Sequence, residues 1–222
     1  MNATVLVTGC SSGIGAATGR EFASQGWKVA GTPRSPSAPS FGQTGTGRVE
    51  TFALEVTDPR SVDTAVSRAI ERFGQIDVLI NNAGYGLFGP FECATPEAIG
   101  RQFQTNVEGV FNVTRAVLPH MRQRASGVVM NVASLTGLVA MPLYSIYAAS
   151  KYAVVGFSES LSHELAPLGI RVKVIAPGAV ATDFSGRSMA RTFEGDGGPY
   201  AESIRKVTAT FAANRAAGGA SS

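Results

Sequence analysis

The chain has 222 residues, of which 44% are hydrophobic, and carries a formal net charge of +3. This length predicts one domain with a well-buried core and is short for two domains. No apolar run approaches the about 18 residues that a membrane span needs, and the chain begins without a cationic leader, so we expect a cytoplasmic protein with no membrane partner. Its cations are dispersed, which argues against nucleic-acid binding. With two cysteines, Cys10 and Cys93, a reducing compartment is the simpler interpretation; no metal site is predicted.

Short apolar, β-branched runs alternate with helical patterns between residues 3 and 176. Such runs are typical of strands buried on both faces of a parallel sheet. The six predicted strands span residues 3–8, 28–32, 49–54, 77–81, 127–132 and 171–176. The predicted helices, which end near glycine or proline, span 14–25, 60–73, 96–121 with an interruption near Pro119, and 146–166. The alternation predicts an α/β protein with a doubly wound, Rossmann-like parallel sheet.

Two segments depart from this alternation. Residues 33–48 are rich in proline, glycine and serine, which predicts a loop that is still long enough to cross over to a parallel strand. Beyond residue 186 only one helical stretch, near 199–213, stands out, and no further strand is visible. We therefore expect residues 1–185 to form the cofactor-binding and catalytic unit, and 186–222 to form a substrate lid and tail of the same domain.

A glycine cluster follows the first predicted strand and opens the first helix. At these positions Gly9 permits a tight turn, Gly13 lets the backbone approach a pyrophosphate, and Gly15 lets the helix pack closely on the sheet. The helix N-terminus would then offer N–H groups and partial positive charge to phosphates. The cluster predicts a dinucleotide site rather than an ordinary turn. Further contacts by proximity are Ser11, Ser12 and Ile14.

The end of the second strand discriminates between the two nicotinamide dinucleotides. It reads Gly31-Thr32-Pro33-Arg34 and contains no acidic residue to accept the ribose 2′-hydroxyl of NAD. Arg34 would instead pair with a 2′-phosphate through two charge-assisted hydrogen bonds. NADP(H) is therefore the predicted cofactor and NAD the less favoured one, with a solvated loop arginine as the alternative.

Tyr147 and Lys151 are four residues apart in a predicted helix and so lie on one face of it. The ammonium group is expected to lower the phenol pKa from about 10, which would make Tyr147 a usable acid and base. An isolated pair of this kind is more often a core tyrosine and a lysine that reaches solvent. Ser134, at the end of a strand on the same side of the crevice, favours chemistry, because its hydroxyl would hold a substrate oxygen.

The order of these parts along the chain resembles the short-chain dehydrogenase/reductase family. The match covers roughly residues 3 to 185 and includes Thr8–Gly15, Asn81-Asn82-Ala83-Gly84, Asn106, Ser134, and Tyr147 with Lys151. The resemblance implies an NADP-dependent oxidoreductase that transfers a hydride between nicotinamide and a carbonyl or secondary alcohol. The apolar residues around the expected crevice point to an apolar substrate.

The resemblance also implies roles for individual residues. Tyr147 would donate a proton to the carbonyl oxygen, Ser134 would orient that oxygen, Lys151 would also bind the nicotinamide ribose, and Asn106 would hold a water in the proton relay. The implied cofactor contacts are Glu55 and Val56 at the adenine, Asn82, Ala83 and Gly84 near the nicotinamide ribose, and Pro177, Gly178, Val180 and Thr182 at the carboxamide.

Members of the family usually carry a seventh strand and a closing segment, so this chain is expected to be either truncated or naturally short. They commonly pair through the helices here placed at 96–121 and 146–166, which implies a homodimer. An apolar stripe at a spacing of four would serve this contact or pack equally well on the chain's own sheet. Its members are Ala149, Ala153, Phe157 and Leu161.

Two other functions remain open at this point. Gly9–Gly13 also fits the G-x-S-x-G elbow of a serine hydrolase, with Ser11 as nucleophile. The histidines available as its base are His120 and His163, and His163 falls inside a predicted helix. A dinucleotide-binding sensor that has lost its chemistry is the second alternative, although the presence of Ser134 together with Tyr147 and Lys151 argues against it.

Overall fold

A six-stranded parallel sheet forms the centre of the computed structural model, which describes residues 3–35, 47–178, 180 and 184–218. The strands along the chain are β1 (Thr4–Thr8), β2 (Lys28–Thr32), β3 (Val49–Thr51), β4 (Val78–Asn81), β5 (Gly86–Phe88), β6 (Gly127–Val132), β7 (Ile170–Ile175) and β8 (Met189–Arg191). The sheet order is β3-β2-β1-β4-β6-β7 and every pairing is parallel, which confirms the six predicted strands and the doubly wound class. The order reverses between β1 and β4, so a crevice opens at their carboxyl ends.

Helices connect the strands and cover the sheet. They are α1 (Gly13–Ser24), α2 (Pro59–Phe73), α3 (Pro96–Phe103), α4 (Gly109–Gln123), α5 (Ser145–Leu165), α6 (Phe184–Arg187) and α7 (Ala201–Gly218). A π-helical turn, Gln104–Glu108, joins α3 to α4. The predicted interruption near Pro119 is wrong, because α4 continues through Pro119. The irregularity lies instead at the π-helical turn, which buries Asn106.

The ends of α2 follow the capping signals in the sequence. The Asp58 carboxylate accepts a hydrogen bond from the Arg60 N–H, and Pro59 occupies the first turn. Gly74 ends the helix in the left-handed conformation, with φ at 85°. Asp58 is therefore a structural cap.

Both faces of the central strands are buried, as the continuous apolar runs predicted. Leu6, Leu79 and Val129 lie in a core that also takes side chains from α2, α4 and α5. Their neighbours Val5 and Ile80 belong to a second core that includes α1. Successive side chains of a strand alternate between faces, so each strand contributes to both cores.

Among the residues that the structure describes, other side chains cover only one face of the outer strand β7. Val172 and Val174 pack on the cores beneath α5, whereas Arg171, Lys173 and Ile175 are exposed. The expectation of no strand beyond residue 186 is wrong, since β8 is present. It pairs with β5 in a separate small sheet, so the described residues add no seventh strand to the main one.

The apolar stripe on α5 divides between the core and the surface. Leu161 is buried in the chain's own core, and the half-buried Phe157 packs against Phe111 of α4 with ring centroids 4.5 Å apart. Ala149 is exposed and Ala153 is half-buried. The homodimer therefore stays a prediction. No helix among the described residues is long and apolar enough to cross a membrane.

The predicted loop at 33–48 lies mostly outside the described residues, as does Thr182 at the predicted carboxamide site. Residues 33–35 and 47–48, which flank the undescribed part, are irregular as expected.

Candidate active site

The glycine cluster forms a turn that side chains would obstruct. Gly9 and Gly13 adopt φ values of 64° and 55°, which L-residues rarely tolerate. A Cβ atom on Gly9 would lie 2.8 Å from the Cα of Ala83, and one on Gly15 would lie 2.5 Å from the Gly9 carbonyl oxygen. These positions therefore require glycine for steric reasons, as the sequence predicted.

The first turn of α1 leaves backbone N–H groups available to an anion. Ser12 stands at the N-cap, yet its side chain makes no capping hydrogen bond, and no acidic residue occupies the first turn. Ser11, Ser12 and Ile14 are half-buried around this turn, while Gly13 is exposed. Uncapped N–H groups and the positive end of the helix dipole suit a phosphate, so these residues fit a dinucleotide.

Hydrogen bonds hold this turn against the end of β4. The Thr8 hydroxyl accepts from the backbone N–H groups of Asn82 at 2.9 Å and Ala83 at 3.0 Å. The Asn82 amide nitrogen donates in return to the carbonyl oxygens of Thr8 and Gly9, at 2.9 and 3.0 Å. Asn82 and Ala83 thus border the glycine turn, and the Asn82 amide shapes it; their contact with the nicotinamide ribose stays a prediction. The role of Thr8 as the acceptor that joins the two turns was not recognised from sequence.

The residues predicted at the ribose and adenine also lie at the carboxyl edge of the sheet. Arg34 is exposed just beyond β2. One carboxylate oxygen of Glu55 accepts from the N–H and hydroxyl groups of Thr57, at 3.2 and 3.1 Å. Val56 is buried in the core, where its carbonyl accepts from Asn112, so its side chain is structural.

Ser134 and Tyr147 are brought together at the end of β6. The hydroxyls of Ser134 and Thr136 lie beside the Tyr147 phenol and act to lower its pKa. Thr136 also donates to the Ser134 oxygen, with its hydroxyl at 2.9 Å and its N–H at 3.2 Å. Thr136 was not predicted, although its hydroxyl two residues after Ser134 was a visible signal.

Lys151 is buried beside this pair, with 6% of its surface exposed. Its ammonium nitrogen donates to the Val132 carbonyl at 2.8 Å and lies 5.8 Å from the Tyr147 ring centroid. Burial lowers the pKa of Lys151 to about 8. Burial also raises the pKa of Tyr147 above 10, although the nearby hydroxyls of Ser134 and Thr136 offset part of this. The expectation that Lys151 lowers the phenol pKa is therefore wrong here, because the ammonium binds a backbone carbonyl and desolvation dominates.

Asn106 links the catalytic helix to the segment after β4. Its amide nitrogen donates to the Tyr85 carbonyl at 2.9 Å and to the Ser150 hydroxyl at 3.2 Å, and its oxygen accepts from the Tyr85 N–H at 3.0 Å. A Cβ atom on Gly84 would lie 3.0 Å from that oxygen and 3.8 Å from the Lys151 nitrogen. Asn106, Gly84 and Lys151 therefore share one corner of the site. The implied water relay through Asn106 stays a prediction.

A buried polar network sets the spacing of the strands and helices that carry these groups. The Asn81 amide donates to Thr114 at 2.9 Å and to Asn131 at 2.8 Å, and Asn131 donates to Ser158 at 2.8 Å. All four side chains are buried. The network joins β4, α4, β6 and α5, and thus positions Ser134 relative to the catalytic helix.

The segment after β7 lies beside Ser134. The Pro177 carbonyl accepts from the Leu135 N–H at 2.8 Å, and Gly178 and Val180 are exposed next to it. The predicted carboxamide contacts of these residues stay a prediction.

Aromatic rings line the space beside the Tyr147 phenol. Tyr144 and Phe184 lie with their centroids 6.2 and 6.1 Å from that of Tyr147. Tyr144 also contacts Phe88 at 5.1 Å and Phe211 at 5.7 Å. These rings come from β5, α6, α7 and the loop before α5, so side chains of the C-terminal region pack beside Tyr144 and Tyr147.

The serine hydrolase alternative lacks a base. His120 accepts a hydrogen bond from the Ile76 N–H, at the amino edge of the sheet and away from Ser11. His163 is exposed near the C-terminal end of α5, which leads to the amino end of β7. Neither histidine reaches the carboxyl edge, so the elbow-like sequence is a nucleotide turn.

Comparisons with known proteins agree with this geometry. A family model described as short chain dehydrogenase matches residues 3–192. The 3-ketodihydrosphingosine reductase of Bacteroides thetaiotaomicron is 40% identical over 200 residues, which cover 90% of this chain and 72% of the relative. A short-chain dehydrogenase structure from Streptomyces avermitilis superposes with a TM-score of 0.83 at 37% identity, covering 90% of this chain and 75% of that one.

Two further solved structures differ in the cofactor they contain. ElxO with NADP bound has a TM-score of 0.76 at 28% identity and covers 82% of this chain and 76% of its own. An NAD⁺-bound xylitol dehydrogenase has a TM-score of 0.76 at 32% identity, with coverages of 80% and 70%. The chain belongs to the short-chain dehydrogenase/reductase family and is an oxidoreductase with a Rossmann-type fold for NAD(P).

Burial of the charged Lys151 side chain lowers the free energy of unfolding. Replacing Lys151 with an uncharged residue is therefore expected to raise that free energy. The difference between a pKa of 10.5 and one of about 8 corresponds to roughly 3 kcal/mol. Lys151→Met abolishes this cost but also removes the donor to the Val132 carbonyl, worth about 1 kcal/mol. We expect the variant to be inactive yet about 2 kcal/mol more stable near pH 7 in urea unfolding.

The lowered pKa of Lys151 also makes the stability difference between the variant and the wild type depend on pH. As pH rises from about 8 to 10.5, folded wild-type protein has lost a proton that the unfolded chain keeps, so wild-type stability rises. The advantage of the Lys151→Met variant should therefore shrink over that range. Lys173→Met, at an exposed lysine of β7, is the matched control and should change little. An advantage that does not depend on pH would contradict the buried-cation explanation.

Proposed function

We propose that this protein is an NADP(H)-dependent oxidoreductase that interconverts an apolar ketone or aldehyde and its alcohol. The observation that carries the proposal is the convergence of Tyr147, Ser134 and the buried Lys151 at the same sheet edge as the glycine cradle. A nucleotide site alone would not need a phenol, a hydroxyl and an amine to converge there.

The residues of the chain would handle the proton and the developing charge. When bound, the cofactor supplies the hydride that reaches the carbonyl carbon. Ser134 donates a hydrogen bond to the carbonyl oxygen, and Tyr147 transfers its phenolic proton to that oxygen as the alcohol forms. Because burial raises the Tyr147 pKa, the phenol is protonated near neutral pH and acts as the acid. The hydroxyls of Ser134 and Thr136, which favour the ionised phenol, then stabilise the phenolate that remains, and Lys151 would bind the nicotinamide ribose.

The walls of the site support an apolar substrate. Phe88 is buried, and Tyr144 and Phe184 cover the phenol with aromatic surface. The name of the Bacteroides relative supports a ketone as the reacting group. The direct test is NADPH oxidation, followed by absorbance, with a panel of apolar and polar ketones. Turnover of apolar members is expected, whereas NADPH binding without turnover of any would favour the sensor alternative.

The preference for NADP(H) rests on Arg34. It is exposed at the end of β2, and residues 31–35 contain no acid to accept a ribose hydroxyl. Arg34→Ala should raise the Kd for NADPH about tenfold or more, because hydrogen bonds to a charged group contribute roughly 1.5–3 kcal/mol. The Kd for NADH should stay unchanged. Nicotinamide fluorescence titrations at low salt measure both values.

Arg122→Ala provides the matched control for this change. Arg122 is exposed near the end of α4, at the opposite edge of the sheet, so neither Kd should move. If Arg34→Ala weakened the binding of NADPH and NADH equally, Arg34 would not be the residue that binds the 2′-phosphate of NADPH.

We also propose that residues 1–185 bind the cofactor and perform catalysis, and that 186–222 form a lid of the same domain. The pairing of β8 with β5 and the contact of Phe211 with Tyr144 support the lid. A homodimer and a cytoplasmic location complete the proposal; the unpaired thiols of Cys10 and Cys93 support a reducing compartment. Light scattering that shows a monomer at high concentration would contradict the dimer.

A further inference from the structure

Five exposed apolar residues lie at the carboxyl ends of β6 and β7, directly beside the candidate active site. We name them the apolar rim. They are Leu135 (46% exposed), Leu138 (52%), Val139 (59%), Ile175 (42%) and Val180 (48%). Most exposed large apolar residues of the described chain thus gather at one edge instead of being scattered, which marks an interaction surface.

Backbone hydrogen bonds make the apolar rim one continuous structure. The Leu135 N–H donates to Pro177 and the Ala133 N–H donates to Ile175, both at 2.8 Å. The N–H groups of Leu138 and Val139 both donate to the Leu135 carbonyl at 2.9 Å. A Cβ atom on Gly137, in the same turn, would lie 3.0 Å from the backbone of Lys151. The apolar rim therefore abuts the catalytic helix.

Among the described residues, the charged side chains on β6 and β7, the two strands that end at the apolar rim, are both positive. Residues 127–150 contain no aspartate, glutamate, lysine or arginine. Strand β7 adds Arg171 and Lys173, which are exposed and lie four and two residues before Ile175, respectively, on the same face of the strand. An apolar patch flanked by two cations is complementary to a partner that has an anionic outer layer and an apolar interior.

We propose that the apolar rim docks on an anionic lipid bilayer, from which an apolar substrate reaches Ser134 and Tyr147 without crossing water. This inference rests on the proposed function for its substrate. Side chains such as Leu138 and Val139 enter the boundary between head groups and acyl chains, while Arg171 and Lys173 contact anionic head groups. A second copy of the chain fits less well, because the same two cations would face each other across the contact.

The sequence predicted no membrane partner because that expectation considered only long apolar spans. The apolar rim is assembled from two separate segments, 135–139 and 175–180, each far too short to span a bilayer. It becomes visible only when β6 and β7 place their carboxyl ends side by side.

Sedimentation of the full chain with lipid vesicles tests the proposal. We expect binding to vesicles of phosphatidylcholine with phosphatidylglycerol, weaker binding to phosphatidylcholine alone, and a loss of binding as salt rises. The double variant Leu138→Ser, Val139→Ser should lower the partition constant about tenfold or more. The matched control is Leu168→Ser, at a 39% exposed leucine before the amino end of β7, which should bind as wild type does.

Activity on two substrates separates this inference from the proposed function. The double variant should reduce a water-soluble aldehyde at the wild-type rate but a long-chain ketone dissolved in vesicles several-fold more slowly. Absence of wild-type sedimentation, or equal sedimentation of variant and wild type, would overturn docking even if both substrates react. If neither substrate reacts while the vesicles still bind, the proposed function fails instead. Light scattering that shows a dimer disrupted by the double variant would assign the apolar rim to a second copy.

Discussion

Tyr147→Phe should lower kcat for carbonyl reduction by about 10²–10⁴-fold and leave the Kd for NADPH unchanged. The phenol beside Ser134 is the proposed proton donor, so its loss removes that donor. The ring contacts with Tyr144 and Phe184 do not need the hydroxyl, so the fold and the nucleotide cradle should persist. Steady-state NADPH oxidation measures the first effect and fluorescence titration the second.

Tyr152→Phe is the matched control for this change. Tyr152 lies on the same helix, α5, but is 45% exposed and away from Ser134, so kcat should be unaltered. If Tyr147→Phe retained wild-type turnover, Tyr147 would not be the proton donor. If wild-type protein bound NADPH but neither it nor the variant reduced any carbonyl, the sensor alternative would gain support.

Gly15→Ala should weaken NADPH binding about tenfold or more and destabilise the fold. The added methyl group would collide with the Asn82 amide and lie 2.5 Å from the Gly9 carbonyl oxygen. Overpacking of this kind costs roughly 1–3 kcal/mol. Relief of the collision would displace the turn that Asn82 holds, so the phosphate cradle changes shape together with the packing. Urea unfolding and NADPH titration measure the two effects.

A second glycine provides the control for the added methyl group. Gly156 lies within α5 and has no atom within 4 Å of where its Cβ would be. Gly156→Ala should therefore stabilise the protein by about 0.4–1 kcal/mol, because alanine favours the helix and restricts the unfolded chain. A Gly15→Ala variant with wild-type stability and NADPH affinity would contradict the steric account of the cradle.

Local signals accounted well for the sheet and for the positions of the site residues. Apolar β-branched runs marked six strands, and the caps Asp58 and Gly74 marked the ends of α2. The prediction at Pro119 was wrong, because a proline inside a helical pattern suggested an interruption at that residue. The irregularity is instead a π-helical turn around Asn106. The short strand β8 was missed, since three residues that pair only with β5 carry no periodic signal of their own.

The sequence by itself determined the parallel α/β class, the glycine turn and the order of Ser134, Tyr147 and Lys151, because strand burial and steric demand act through local patterns. Tertiary structure alone decided the electrostatics. Burial lowers the pKa of Lys151 and raises that of Tyr147, and the Val132 carbonyl, not the phenol, accepts from the ammonium. Tertiary structure alone also assembled the apolar rim. Desolvation and surface exposure depend on neighbours distant in sequence, so no local pattern reports them.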